Sequence, residues 1–368
     1  MTDWDRLARP SLRGLERYDP GETRDELKER HGLAELEPLN WNEDLFGPPQ
    51  QALDAAAAEL NRAPLYPERA FADFRDAVAG WLGVPSAMVI PAHGAQSLIG
   101  TIATAFVDPG TRVVIPRMTY GLYAQVCAAG GAQVTAVDPA SGLEIDLDAV
   151  AAAARERRAR MVWLCDPNNP TGDLIAPGRW SAFLDELPED CIVVADEAYM
   201  DFADPAERAD RTADVRDGRP VIVIRSFSKI FGLAGLRLGY GVADPRVAHL
   251  LDVVQEPFNV NRIALAAGRA AVAVPGFVER RRADVAEARA VLRDELAAAG
   301  IASRPSQTNF VLVELGTDDR PVCAELIRRG LLIRGGAEFG LPGFARVTLA
   351  PTPVMRRAAA EIAAVLAG

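Results

Sequence analysis

The chain has 368 residues, 49% of them apolar, and a net charge of −11. Such a length asks for one large domain and a smaller one, the apolar content excludes a disordered chain, and the acidic balance argues against nucleic acid as a partner. Met1-Thr2-Asp3-Trp4-Asp5-Arg6 has no apolar signal core, no run approaches the ~18 apolar residues of a membrane span, and the four cysteines and three histidines lack metal-site spacing. A cytoplasmic protein with no membrane partner and no metal is expected.

Residues 1–49 are rich in charge, Pro and Gly, and are expected to form an arm that wraps over another surface instead of making a core. From residue 51 the pattern alternates. Helices are predicted over 51–61, 69–81, 96–106, 148–160 and 180–186, and strands over 88–90, 112–115, 134–137, 161–164, 191–195, 221–224 and 238–242. Short, continuously apolar strands separated by helices predict a mostly parallel sheet with helices on both faces. A change comes near Pro257. Ala- and Arg-rich helices are predicted over 262–274 and 277–299, the second without Pro or Gly and long enough to touch both domains. Strands over 309–313, 331–334 and 346–349, with helices over 322–329 and 354–366, make a smaller α/β unit. The expected division is an arm at 1–49 that completes the small domain and makes a dimer contact, a large domain at 50–260 and a small C-terminal domain at 261–368.

Open parallel sheets bind ligands beyond the carboxyl ends of their strands, and five predicted strand ends here are followed by polar sets. These are Pro91-Ala92-His93-Gly94-Ala95-Gln96-Ser97, Pro116-Arg117-Met118-Thr119-Tyr120, Cys165-Asp166-Pro167-Asn168-Asn169-Pro170-Thr171-Gly172, Asp196-Glu197-Ala198-Tyr199, and Ser226-Phe227-Ser228-Lys229. A lysine at an apolar strand end is suited to hold an aldehyde as a Schiff base, with Ser226, Ser228 and Arg237 gathered around a phosphate. That is the chemistry of a pyridoxal-phosphate enzyme. Such a site needs a carboxylate beside the pyridine nitrogen, which Asp196 can supply. It needs donors to the phenolic oxygen, from Asn169 and Tyr199, and a ring to stack, from Tyr120. The backbone amides of Ala95 and Gln96 at a helix start suit the phosphate. Each piece alone has a plain reading: a solvated lysine, a helix start, a capping aspartate, a Pro-Gly turn, a packed tyrosine. Their order at successive strand ends favours the cofactor.

On these motifs the chain resembles the fold-type I pyridoxal-phosphate-dependent class I/II aminotransferases, most of all the histidinol-phosphate aminotransferase branch. Asn168-Asn169-Pro170-Thr171-Gly172, Asp196-Glu197-Ala198-Tyr199 and Ser226-Phe227-Ser228-Lys229 through Gly235-Leu236-Arg237 carry the resemblance. Asn40-Trp41-Asn42-Glu43, Leu65-Tyr66-Pro67, Gln307-Thr308-Asn309-Phe310 and Arg346-Val347-Thr348 extend it over nearly the whole chain. It implies fold type I, with Lys229 as the Schiff-base lysine and Asp196 at the pyridine nitrogen. It implies Asn169 and Tyr199 at the phenolic oxygen, Tyr120 stacked on the ring, and Ala95, Gln96, Ser226, Ser228 and Arg237 on the phosphate. Tyr66 would reach the phosphate of a neighbouring subunit, so a homodimer is implied, and Arg346 would clamp the substrate carboxylate. The chain departs from the branch at Gln96 and Ser97, where acidic residues are common, at Asp44-Leu45, at Ile230, and at Leu349-Ala350-Pro351-Thr352-Pro353.

The resemblance implies ping-pong transamination between an amino donor and a 2-oxo acid such as 2-oxoglutarate. For histidinol phosphate as donor, Arg334, Arg17 and Tyr18 are candidates for the second phosphate, with Asn42 also facing the substrate. For an aromatic amino acid, Tyr18, Trp41, Phe258 and Phe339 are candidates for an apolar pocket. A specialised-metabolism aminotransferase, a decarboxylase of a phosphorylated amino acid and a non-catalytic regulator on the same fold stay open. The intact Lys229 and Asp196 weigh against the last.

Overall fold

The computed structural model describes residues 2–16, 22–68 and 70–368. Among them the strands are β1 (Glu37–Leu39), β2 (Val89–Ala92), β3 (Arg112–Pro116), β4 (Gln133–Val137), β5 (Met161–Cys165) and β6 (Ile192–Asp196). Then come β7 (Val221–Ser226), β8 (Gly239–Val242), β9 (Phe310–Glu314), β10 (Leu331–Gly335) and β11 (Phe344–Thr348). They form a seven-stranded sheet of order β2-β8-β7-β6-β5-β3-β4 and a four-stranded sheet of order β1-β10-β11-β9. In the large sheet only β8 runs against its neighbours, so the expectation of a mostly parallel α/β sheet holds. Strands β5, β6 and β7 are almost wholly buried, as two helical layers require, and their apolar side chains join one continuous core.

Sequence reading places most elements within a few residues. It misses the helices Arg24–His31, Leu122–Ala129, Arg211–Arg216 and Pro245–Val254. Two of these carry legible start signals: a Thr23/Glu26 capping box, and Asp244 capping a helix with Pro245 in its first turn. The helix predicted from 69 begins at Ala72, because Phe71 takes a left-handed conformation (φ 52°) and the Glu68 carboxylate accepts from Ala70 N and Ala72 N; Arg69 lies outside the described residues.

The arm adds a strand to the small sheet. β1 pairs in parallel with β10, and Leu27 and Leu36 pack on Leu332 in a small core of their own. Helix Phe277–Ala298 packs on helix Thr352–Leu366 and also reaches the large sheet's side, where Arg282 Nε donates to Asp201 O.

One close approach positions the site. A Cβ on Gly239 would come within 2.6 Å of Ala95 N, so only glycine lets β8 lie against the start of helix Gly94–Phe106. That start is thereby held beside Ser226, whose strand partner is Gly239.

Candidate active site

The carboxyl ends of β2, β3, β5, β6 and β7 open into one crevice of about 770 Å³, whose opposite wall is the arm and the small sheet. All five polar strand-end sets line it, so the convergence expected from sequence is realised.

Lys229 follows β7 and is half-buried. Its Nζ donates to Asn42 O at 2.9 Å and Trp41 O at 3.2 Å, and lies 5.7 Å from the Tyr199 ring centroid. Burial, with further repulsion from Arg346 and Arg237, outweighs attraction to Glu43 and Asp196 and lowers its pKa to about 8. Asp196 ends β6 and is 4% exposed. It accepts from Tyr123 Oη at 2.7 Å and from Ala198 N at 3.0 Å. Burial pushes its carboxyl up to about 6 despite these two donors. No guanidinium or ammonium forms an ion pair with it among the described residues.

Around this pair, Tyr199 Oη accepts from Asn42 Nδ2 at 3.0 Å. Asn169 Oδ1 accepts from Arg346 Nη1 at 2.6 Å, and the other arm of that guanidinium donates to Asn40 O at 2.7 Å. Asn42 is buried with φ 55°, and is fixed from the small sheet by Thr348 Oγ1 accepting from its N–H at 3.0 Å. Asn309 Nδ2 donates to Asn42 O at 3.0 Å, tying the Asn-Phe motif to the arm.

At the far end, Gly94 takes φ +79° and a Cβ there would meet Arg237 Nη2 at 3.0 Å. Arg237 donates to Ala234 O at 3.0 Å and Gln96 Oε1 at 3.2 Å, and among the described residues no carboxylate pairs with it. The Gln96 amide also donates to Tyr120 Oη at 2.5 Å. Ser226 Oγ accepts from Ser228 N at 3.1 Å. The start of an α-helix, two serines and a guanidinium without an anion together make a phosphate-shaped cradle.

The residues fit pyridoxal phosphate. Among the described residues no carboxylate pairs with Arg237 in the cradle, and no cation pairs with the buried Asp196 carboxylate, which suits a protonated pyridine nitrogen. A lysine with a lowered pKa stands in the same crevice.

Not every expected residue faces the crevice. Tyr66 is 79% exposed, stacked on Phe258 at 4.9 Å with its carbonyl held by Arg262, and neither ring lines the cavity of its own chain. That removes Phe258 from an apolar pocket within one chain. Trp41, Phe339 and Arg334 do line it. Arg17 and Tyr18 lie outside the described residues. Among the lining residues to which sequence reading gives no role are Tyr123 and Glu338, which pairs with Arg334. The Tyr123 signal is its position three residues after Tyr120, on the helix that opens after β3.

A model of the family described as aminotransferase class I and II matches residues 34–362. The chain is 38% identical to a histidinol-phosphate aminotransferase of Symbiobacterium thermophilum over 350 residues, covering 95% of this chain and 96% of that one. It is 35% identical to the histidinol-phosphate aminotransferase of Brevibacillus brevis over 332 residues, covering 90% and 91%. Among solved structures, histidinol-phosphate aminotransferase from Sinorhizobium meliloti in complex with pyridoxal-5'-phosphate superposes with a TM-score of 0.89 at 30% identity, covering 97% of each chain. A Thermus thermophilus aspartate aminotransferase mutant, 22% identical with a TM-score of 0.84, shares the fold.

Proposed function

The chain belongs to the aminotransferase class I and II family, and from that premise we propose that it is a pyridoxal-phosphate-dependent aminotransferase passing the amino group of histidinol phosphate to a 2-oxo acid, 2-oxoglutarate, in two alternating half-reactions. The observation that carries the reading is the pairing in one crevice of a lysine of lowered pKa with a buried, cation-seeking carboxylate, beside a cradle for an anion.

Lys229 would hold the cofactor's aldehyde carbon, with Arg237, Ser226, Ser228 and the amides of Ala95 and Gln96 holding its phosphate. When bound, the cofactor supplies an electron sink that stabilises negative charge at the donor's α-carbon. Asp196 would keep a proton on the ring nitrogen, and Tyr123 fixes the direction of that carboxylate. Asn169 and Tyr199 would hold the phenolic oxygen, and Tyr120 would cover the ring. Lys229, neutral in a large fraction near its pKa of about 8, serves as nucleophile and then as the base that moves the proton from the α-carbon. Arg346 swings its fork from Asn169 and Asn40 to the acceptor's carboxylate. The exposure of the Tyr66 ring supports the further reading that it serves the phosphate of a second subunit in a homodimer.

An amino-donor panel with 2-oxoglutarate tests this. Histidinol phosphate should be turned over faster than phenylalanine, tyrosine or amino alcohols, and Lys229→Ala should lose at least about a thousandfold in rate. Preference for an aromatic donor would refute the donor, carbon dioxide release without an oxo product would refute transamination, and retained turnover in Lys229→Ala would refute the nucleophile.

A further inference from the structure

β10 and β11 place Arg334 and Arg346 directly opposite each other in an antiparallel pair, so both guanidiniums leave the same face of the small sheet toward the crevice. Like charges in that position repel, and each needs a partner. The two are satisfied differently. Arg346 binds neutral oxygens of Asn169 and Asn40. Arg334 binds a carboxylate: its Nη2 lies 2.7 Å from Glu338 Oε2. Glu338 sits in the 3-10 turn Gly336–Phe339 and also lines the crevice. The guanidinium side chain is 15% exposed, whereas the carboxylate side chain is 55% exposed.

This asymmetry has a chemical meaning. The cation is set into the wall, and the anion is more than half exposed to solvent. A half-exposed pair of this kind is held weakly. A phosphate dianion, with more charge and three acceptor oxygens, competes well for the same fork. A neutral side chain cannot compete, and the carboxylate would stay in place.

We propose that Glu338 is a specificity-determining residue: an internal counter-anion on Arg334 that a phosphate-bearing donor displaces and a donor without phosphate does not. The inference rests on the reading of histidinol phosphate as donor, but its physical core, competition between Glu338 and phosphate for Arg334, can be measured without that reading.

The test is a calorimetric titration of inorganic phosphate into the holoenzyme, whose cofactor already fills the inner cradle. Glu338→Gln should bind phosphate about two- to fivefold tighter than the unmodified chain, as expected for removing one weakly held competing charge. Glu338→Ala should do the same, and the double variant with Arg334→Gln should lose the gain. Dissociation constants for histidinol phosphate should fall in parallel in Glu338→Gln, while that for L-histidinol, which lacks the phosphate, should not. Equal phosphate affinity in Glu338→Gln and the unmodified chain overturns the proposal, and so does a gain that survives Arg334→Gln. If the unmodified enzyme does not accept histidinol phosphate, the donor reading fails alone and the phosphate titration still decides the role of Glu338.

Discussion

Asp196 and Glu197 are neighbours in sequence, both buried at the end of β6, and yet they live in opposite electrostatic settings. Glu197 is held by two guanidiniums: Arg211 Nη1 at 2.9 Å, and Arg225 through Nε at 2.8 Å. Arg211 also binds Asp166, which follows β5, and stands 4.2 Å over the Trp180 ring. Arg225 reaches on to Asp201 at 3.2 Å. Burial pulls the Arg211 guanidinium down, but Asp166 and Glu197 more than offset it and hold it charged. Asp196, one residue away, has two donors and, among the described residues, no ion pair; burial raises its pKa to about 6, as it does that of Asp166, so the missing cation is what sets Asp196 apart. The paired side of β6 ties β5, β6 and β7 together. The unpaired side is left in want of a cation, on strands that cannot shift to supply one. A rigid, satisfied network beneath and a dissatisfied carboxylate above are the arrangement that lets a bound group be met by pre-set charges.

Breaking the satisfied side should have the larger effect on folding. Glu197→Gln leaves Arg211 and Arg225 buried against a neutral amide and should cost about 3 kcal/mol or more of stability, read by denaturant unfolding. A loss within about 0.5 kcal/mol would mean the network does not hold the strand ends.

Asp196→Asn should act in the opposite direction on the apoprotein. A carboxyl whose folded pKa lies near 6, above its ordinary value of 3.8, binds more protons folded than unfolded between those values, so its burial weakens the fold as pH rises through that window. The neutral amide escapes that penalty. At pH 7.5 the variant apoprotein should be more stable by about 1–3 kcal/mol, with the difference vanishing below pH 4, while its hold on pyridoxal phosphate weakens. Equal stability at both pH values would show that Asp196 is not the dissatisfied group.

The smallest effect concerns Lys229 itself. With a pKa near 8, the free amine is the minority form at pH 6.5 and the majority form at pH 9. The rate at which the apoprotein captures pyridoxal phosphate should therefore climb about tenfold per unit below pH 8 and level off above it, followed by cofactor absorbance. A rate still climbing at pH 10 would restore this lysine to an ordinary solvated one.

How much of this was legible beforehand divides along the same line. Residues on the open side of the strand ends, from Gln96 and Tyr120 to Asn169, Asp196 and Lys229, stand directly after apolar strands, so a local pattern and one rule about parallel sheets suffice to gather them. The network under them is not local. Arg211 comes from a six-residue helix too short to show a period, and it meets Asp166 and Glu197 only once β5 and β6 are paired. Arg225 lies just before the serines, but its partner choice depends on which way a strand residue points. The arm's strand β1 is three residues long and contains a proline, which hides it from any periodicity. The pairing of Arg334 with Glu338 is an i,i+4 contact and could have been guessed, but the opposition of Arg334 to Arg346 needs the register of β10 against β11.

The arm carries a consequence of its own. β1 is the border strand of the small sheet, and the peptide chain that leaves it forms, almost at once, the ceiling whose carbonyls touch the Lys229 amine. A displacement of β1 would therefore be carried along a few covalent bonds to the chamber's roof. Trimming the chain ahead of residue 44 would do more than shorten a tail. It would bare the flank of β10 to foreign strands and unroof the reaction chamber at a single stroke.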